Sequence, residues 1–205
     1  MKILAFIIIT ANLALCSSYP SFSKVEISKI NNKISTNRVM DYLETVEGFK
    51  DLPKEKQLIR VNSYLNQLLP QYDSQEDTTV DYWKTPKEFL ISGFGDCEDY
   101  AIIKYYTLVK LGFDENRLYL TVVKDKFSQN LHMVLSYFNP SDNSVLILDN
   151  LSFRVLNIEK RDDFVYKKFI NKNGVFILNK KNELIKKNKK YPKMQDLLKR
   201  VNKEN

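Results

Sequence analysis

The sequence contains few of the residues that dominate disulfide-rich, fibrous or disordered proteins. Its 205 residues include two cysteines, five glycines and six prolines, whereas 43% are hydrophobic and 12% are aromatic. The low glycine and proline content excludes a collagen-like or low-complexity chain, and the hydrophobic content is typical of a globular protein. A chain of this length supports one sizeable domain and is too short for two ordinary domains.

The excess of positive charge does not predict a nucleic-acid-binding protein. The formal net charge is +7, and much of the excess lies between residues 167 and 203, including the lysine-rich run 186–190. Such runs are typical of a solvated surface. Because a nucleic-acid-binding protein concentrates its basic residues on one face, we expect no nucleic-acid partner.

The first 18 residues predict a secretory signal peptide. Lys2 gives a positive start, residues 3–15 are mainly apolar, and the small residues Cys16 to Ser18 follow. An apolar run of about thirteen residues is shorter than the roughly 20 that span a bilayer. We expect cleavage after Ser18. A lipoprotein anchored through Cys16 is the alternative, although Leu15 is larger than the residue that usually precedes such a site.

Histidine and cysteine are scarce in the rest of the chain. Without the predicted signal peptide, Cys97 is the single cysteine and His132 the single histidine. A lone thiol cannot form an intrachain disulfide and is vulnerable in an oxidising compartment. A free cysteine is commonly a small buried apolar residue. The alternative is a nucleophile, and its position along the chain distinguishes the two.

Hydrophobic periodicity predicts helices first and strands afterwards. Residues 19–36 predict an extended lead-in to a single domain over 37–205. Apolar residues at helical spacing predict two helices between 39 and 69, and a period of two begins near 117. The predicted strands cover 117–123, 131–138, 144–149, 152–158, 164–170 and 174–178, before a final helix at 193–203. This order predicts an α+β fold with helices packed on one side of an antiparallel sheet.

Capping signals place Cys97 in the first turn of a helix. Thr85 and Glu88 have the spacing of a capping box that begins a short helix. Asp96 then caps a longer helix that runs from Cys97 to about residue 111 and ends at Gly112. The positive end of a helix lowers the pKa of a thiol. Cys97 is therefore a candidate nucleophile.

The strand pattern predicts that His132 and Asp149 share one face of the sheet. If residues 139–142 form a four-residue hairpin loop, Phe138 pairs with Asn143 and His132 lies directly opposite Asp149. A base and its orienting carboxylate require this proximity. A five-residue loop without a bulge would turn Asp149 to the other face. A structural aspartate at a strand end is the alternative.

Three carboxylates surround the candidate nucleophile. Asp96, Glu98 and Asp99 should raise the pKa of the Cys97 thiol and oppose formation of the thiolate. They could serve as caps and partners of the helix dipole. A hard divalent cation such as Ca²⁺ would bind such oxygen ligands and reverse their effect, although their spacing is not that of an EF-hand.

Several motifs together resemble those of the bacterial transglutaminase-like cysteine proteinases, over about residues 80–180. They are Trp83-x-Thr85-Pro86-x-Glu88-Phe89-Leu90, Gly93-x-Gly95-Asp96-Cys97-Glu98-Asp99-Tyr100-Ala101-Ile102-x-Lys104-Tyr105, His132-Met133-Val134-Leu135, Leu148-Asp149-Asn150 and Arg161-x-Asp163. The resemblance implies a papain-like or transglutaminase-like core. It also implies that Cys97 attacks a peptide carbonyl, His132 transfers the proton and Asp149 orients His132.

The same resemblance implies a metal, a location and partners. Calcium would bind Asp96, Glu98 and Asp99, with Asn116 as a further ligand from the loop after the helix. Proteases of this kind are periplasmic, cut large surface adhesins and so release biofilm cells. An inner-membrane receptor that responds to cyclic di-GMP typically sequesters them. Two other functions stay open, a transglutaminase-type acyl transferase and a non-catalytic calcium-dependent binding module.

Overall fold

The computed structural model describes residues 19–70, 82–179 and 183–205, so the predicted signal peptide lies outside the described residues. The helices are α1 Lys24–Ser28, α2 Lys33–Glu47, α3 Lys54–Leu65, α4 Pro86–Ser92, α5 Cys97–Lys110 and α6 Pro192–Glu204. The strands are β1 Leu69–Pro70, β2 Phe94–Gly95, β3 Leu118–Asp125, β4 Leu131–Phe138, β5 Val145–Asp149, β6 Ser152–Asn157, β7 Phe164–Asn171, β8 Gly174–Leu178 and β9 Leu184–Asn188. No helix in these ranges is long and apolar enough to cross a bilayer.

The predicted capping signals determine where α4 and α5 begin. The Thr85 side chain accepts from the Glu88 amide, and the Glu88 carboxylate accepts from the Thr85 amide. Asp96 is the N-cap of α5, which begins at Cys97 as predicted. The chain leaves α5 through Gly112, whose φ of 79° favours glycine.

An antiparallel sheet forms the second layer. Seven strands of the described chain pair in the order β6-β5-β4-β3-β7-β8-β9. Alternate residues of β3, β4 and β5, such as Leu120, Leu135 and Leu148, belong to the same core as Ile103 of α5 and Leu65 of α3. This arrangement confirms the α+β prediction.

The other face of the sheet has a smaller core of its own. Val123, Val134 and Ile147 pack there against Phe164, the first residue of β7. Because His132 lies two residues before Val134 on β4, the alternation of a strand directs its side chain toward this face. The candidate base is therefore supported by packed apolar residues.

Three local predictions were wrong. The lead-in 19–36 contains α1 and the first turn of α2 instead of an extended segment, because Ser23 and Asn32 supply side-chain caps. Helix α3 ends at Leu65 and not near residue 69. No strand was predicted between residue 178 and the final helix, but Leu184–Asn188 forms the edge strand β9, and the lysine-rich run 186–190 is exposed as predicted.

The predicted pairing of β4 with β5 was wrong by two residues. Phe138 pairs with Val145 instead of Asn143, because the loop is longer than four residues and closes with a hydrogen bond from the Asn139 amide to the Ser144 carbonyl. A shift of two preserves the face on which each side chain lies. Asp149 therefore stays on the face of His132, displaced diagonally instead of directly opposite.

Candidate active site

Cys97 lies in the first turn of α5, beside the sheet. Its side chain is partly buried, and its Sγ accepts a hydrogen bond from the Met133 amide at 3.3 Å. The thiol donates in turn to Glu98 Oε2 at 3.1 Å. Cys97 and His132 line the same cleft, of about 330 Å³, together with the side chains of Trp83 and Tyr191. The structure thus brings the candidate nucleophile and base to one cavity.

The surroundings of the thiol favour its protonated form. Burial raises the pKa of Cys97, and the charge of Glu98 and its hydrogen bond raise it further, whereas the Met133 amide lowers it. Burial and the nearby Asp96 raise the pKa of Glu98 to about 7. The expected effect of the carboxylates on the thiol is therefore present, although burial contributes more.

His132 and Asp149 are in direct polar contact. His132 Nε2 lies 2.8 Å from Asp149 Oδ1, and the Leu151 amide donates to the same oxygen at 3.0 Å. An ionised carboxylate can only accept, so Nε2 carries the proton and Nδ1 is the ring nitrogen available to the thiol. This is the orientation that a base requires from its carboxylate partner.

Arg161 holds the other oxygen of Asp149. Its Nη2 donates to Asp149 Oδ2 at 2.9 Å and to Asp163 Oδ2 at 2.8 Å. Burial alone would raise the pKa of Asp149, but the hydrogen bond and charge of His132, with smaller contributions from Leu151 and Arg161, lower it to about 2. Asp149 is therefore ionised at neutral pH.

The Phe164 ring contacts both the Arg161 guanidinium and the imidazole of His132. The Arg161 guanidinium lies 3.9 Å from the centre of the Phe164 ring, and the His132 ring centre lies 5.9 Å from that of Phe164. Contacts of this kind restrict the rotation of each group. The sequence had shown Arg161 and Asp163 as a motif without a role. In the structure Arg161 binds Asp149, and Asp163 binds Arg161.

The three carboxylates near Cys97 differ in their contacts. Asp99 is 1% exposed and accepts from the Lys84 amide at 2.7 Å and from Lys84 Nζ at 3.0 Å. Asp96 accepts from the Asp99 amide, and Glu98 accepts from the thiol. Their oxygen chemistry fits calcium. In the described ranges no three acidic, histidine or cysteine side chains converge as metal ligands, so calcium here would require these carboxylates to move or other oxygen ligands to contribute.

The structure does not bring Asn116 to these carboxylates. Asn116 follows the C-terminal end of α5, and the 14 residues of that helix span about 20 Å. Its side chain donates to Asp114 and accepts from Asn173, beside a separate cavity of about 480 Å³. The expectation that Asn116 completes one calcium site with Asp96, Glu98 and Asp99 is therefore wrong for this structure.

The comparison with known families decides the class of the protein. Residues 39–177 match the family model of the bacterial transglutaminase-like cysteine proteinases. The chain belongs to this family. It is therefore a cysteine protease of the bacterial transglutaminase-like type with a protein substrate. No curated protein sequence matches the chain significantly.

Solved structures of one family relative share the fold of this chain. Calcium-bound Legionella pneumophila LapG is 31% identical, with a TM-score of 0.75 over 85% of this chain and 98% of that chain. EGTA-treated LapG gives 31% identity and a TM-score of 0.74 over 85% and 97%. A further LapG structure gives 32% identity and a TM-score of 0.75 over 89% and 97%. The fold is therefore transglutaminase-like.

Proposed function

We propose that this family member is a calcium-dependent periplasmic cysteine endopeptidase that cleaves a large cell-surface adhesin and so controls biofilm attachment. One observation carries the catalytic part: His132 is bound to Asp149 through Nε2, which leaves Nδ1 as the ring nitrogen that can take the thiol proton, and His132 and Cys97 line the same cleft. A thiol, a base and an orienting carboxylate are the groups that peptide-bond cleavage by a cysteine enzyme requires.

The reaction follows from these positions. His132 Nδ1 takes the thiol proton as Cys97 Sγ bonds to the peptide carbonyl carbon, and the Cys97 amide at the start of α5 can donate to the oxyanion. His132 gives the proton to the leaving amine as the C–N bond breaks, which leaves a thioester. Water then loses a proton to His132 and attacks the thioester, which releases the acid and restores the thiol. Asp149 stays ionised and stabilises the imidazolium that forms during thioester formation and again during thioester hydrolysis.

Calcium is proposed from the donor chemistry near the thiol and from the resemblance to the family. Asp96, Glu98 and Asp99 offer three carboxylates within four residues. A bound Ca²⁺ would supply positive charge beside Cys97 and offset the carboxylates that raise its pKa. Binding at Asp99 requires Lys84 to move, since Lys84 now neutralises that carboxylate.

The substrate, location and regulation are proposed from the resemblance described above. The predicted signal peptide supports export, and a periplasmic protease can reach an adhesin during its secretion. An inner-membrane receptor that responds to cyclic di-GMP would sequester the enzyme. The support for these three proposals is the family membership and the likeness to LapG.

Acyl transfer is the second candidate reaction, because the same thioester can be attacked by an amine. Product analysis with a small primary amine separates the two, since transfer attaches the amine to the new carboxyl end and hydrolysis does not. A non-catalytic calcium-dependent module is distinguished by an inert Cys97 and by the absence of either product.

The test is cleavage of an N-terminal adhesin fragment from the same genome by the wild type and Cys97→Ala, each with calcium and with EGTA. We expect cutting by the wild type with calcium and by no other combination. Equal cutting by both proteins would refute the assignment of Cys97 as the nucleophile. Cutting by the wild type in EGTA would refute the calcium requirement.

A further inference from the structure

A fully buried lysine lies near Asp149. Lys104 of α5 is 0% exposed, and its Nζ donates to Asn62 Oδ1 at 2.8 Å and lies 5.9 Å from the centre of the Tyr100 ring. Lysine is almost never fully buried unless it is paired, because removing its charge from water is costly. Such a residue requires a structural or functional explanation.

The lysine begins a chain of hydrogen bonds that ends at Asp149. Asn62 holds Lys104 with its oxygen and donates its amide to the Ser152 carbonyl at 2.8 Å. Asn66, the residue that follows the last residue of α3, donates to the same carbonyl at 2.9 Å and to the Asp149 carbonyl at 2.8 Å. Asn66 thus holds both ends of the two-residue turn between β5 and β6, and Lys104 of α5 reaches the turn through Asn62.

This turn controls the direction of the Asp149 carboxylate. Asp149 pairs with Ser152 across the turn, and the Leu151 amide within the turn donates to Asp149 Oδ1. That oxygen is also the one bound to His132. A rotation of the turn would therefore move the carboxylate and the imidazole together.

We propose that Lys104, Asn62 and Asn66 are positioning residues that fix the β5–β6 turn so that the Asp149 carboxylate faces His132. The catalytic part of this inference rests on the proposed function of the site. Burial lowers the pKa of Lys104 to about 7, whereas the charge of the nearby Asp149 favours the protonated amine. Asp149 is therefore bound directly by Arg161 and is held through the β5–β6 turn by the Lys104 network.

The single histidine of the sequence provides a readout that is independent of turnover. In the untagged full chain labelled with ¹⁵N-histidine, every imidazole signal belongs to His132. We expect the hydrogen-bonded Nε2–H signal to be present in the wild type and to shift or disappear in Asn66→Ala and Lys104→Met. A merely structural role would lower the melting temperature and leave this signal unchanged.

Kinetics provide the second readout. A misplaced Asp149 carboxylate impairs proton transfer and not substrate binding. We therefore expect kcat to fall roughly 10- to 100-fold in both variants, while KM is unchanged. Gln67→Ala is the matched control, because the side chain of this exposed neighbour of Asn66 donates locally, to the Ser63 carbonyl. The control should keep wild-type kcat and the wild-type signal.

The outcomes separate this inference from the proposed function. A wild type that cuts no substrate refutes the proposed function, while the Nε2–H signal still tests the positioning. Folded Asn66→Ala and Lys104→Met proteins with wild-type signals overturn the inference. If Asn66→Ala does not fold, Lys104→Met decides, because methionine fills a similar volume without a buried charge.

Discussion

The ionised state of Asp149 predicts how stability depends on pH. In Asp149→Asn the amide oxygen can still accept from the Leu151 N–H, but the NH2 group that replaces Oδ2 cannot accept from Arg161. The substitution therefore removes the charge and that hydrogen bond. The pKa of Asp149 falls from an ordinary 3.8 to about 2 in the folded protein. A difference of this size corresponds to about 2 kcal/mol of folding free energy.

The sign follows from the direction of that shift. Because the folded-state pKa is the lower one, the unfolded chain binds a proton first as the pH falls. The contribution of Asp149 is therefore complete at neutral pH and is lost between about pH 4 and pH 2. At low pH the variant and the wild type should be equally stable.

Urea unfolding of both proteins at several pH values measures this difference. We expect Asp149→Asn to be about 2 kcal/mol less stable at pH 7, with the gap closing below about pH 4. Asp162→Asn is the control, since that neighbouring carboxylate is exposed and its variant should match the wild type throughout. A gap that stays constant from pH 7 to pH 3 would refute the assignment of Asp149 as a buried, ionised acid.

Two further predictions concern the segment around the nucleophile. Gly95→Ala should destabilise the protein by about 1–3 kcal/mol in urea unfolding, because the new Cβ would lie 2.6 Å from Asp99 Oδ2 and 2.9 Å from Phe89 Cε2. Gly48→Ala, whose Cβ meets nothing closer than 3.4 Å, is its control and should be neutral or stabilising. Lys84→Met removes the ion pair with Asp99 and should therefore raise the calcium affinity, measured by calorimetry, roughly tenfold, which corresponds to about 1.4 kcal/mol. Unchanged or weaker binding would exclude Asp99 as a ligand.

Local rules were sufficient to predict the position of Cys97. Asp96 caps α5 and Gly112 ends it, and both effects depend on residues close in sequence. The face shared by His132 and Asp149 was also predictable, although the register was not. Side chains alternate with a period of two, so a register error of two residues changes the partner and preserves the face.

Contacts between distant segments could not be read from the sequence. Lys84 reaches Asp99 across 15 residues, and Lys104 reaches Asn62 across 42. Each of these contacts depends on how distant segments pack against each other, and hydrophobic periodicity does not predict which residues then meet. Strand β9 was missed because its lysines interrupt the apolar pattern, as is common where charge protects an exposed sheet edge.

The most direct test of the triad is the rate at which iodoacetamide alkylates Cys97 at pH 7, followed by peptide mass mapping so that Cys16 is distinguished. The measurement compares the wild type with His132→Ala and runs beside substrate turnover in calcium. We predict that His132→Ala alkylates more slowly and that its kcat falls by roughly 10²- to 10⁴-fold. Equal alkylation and equal turnover in the two proteins would contradict the account, because Cys97 would then act without His132.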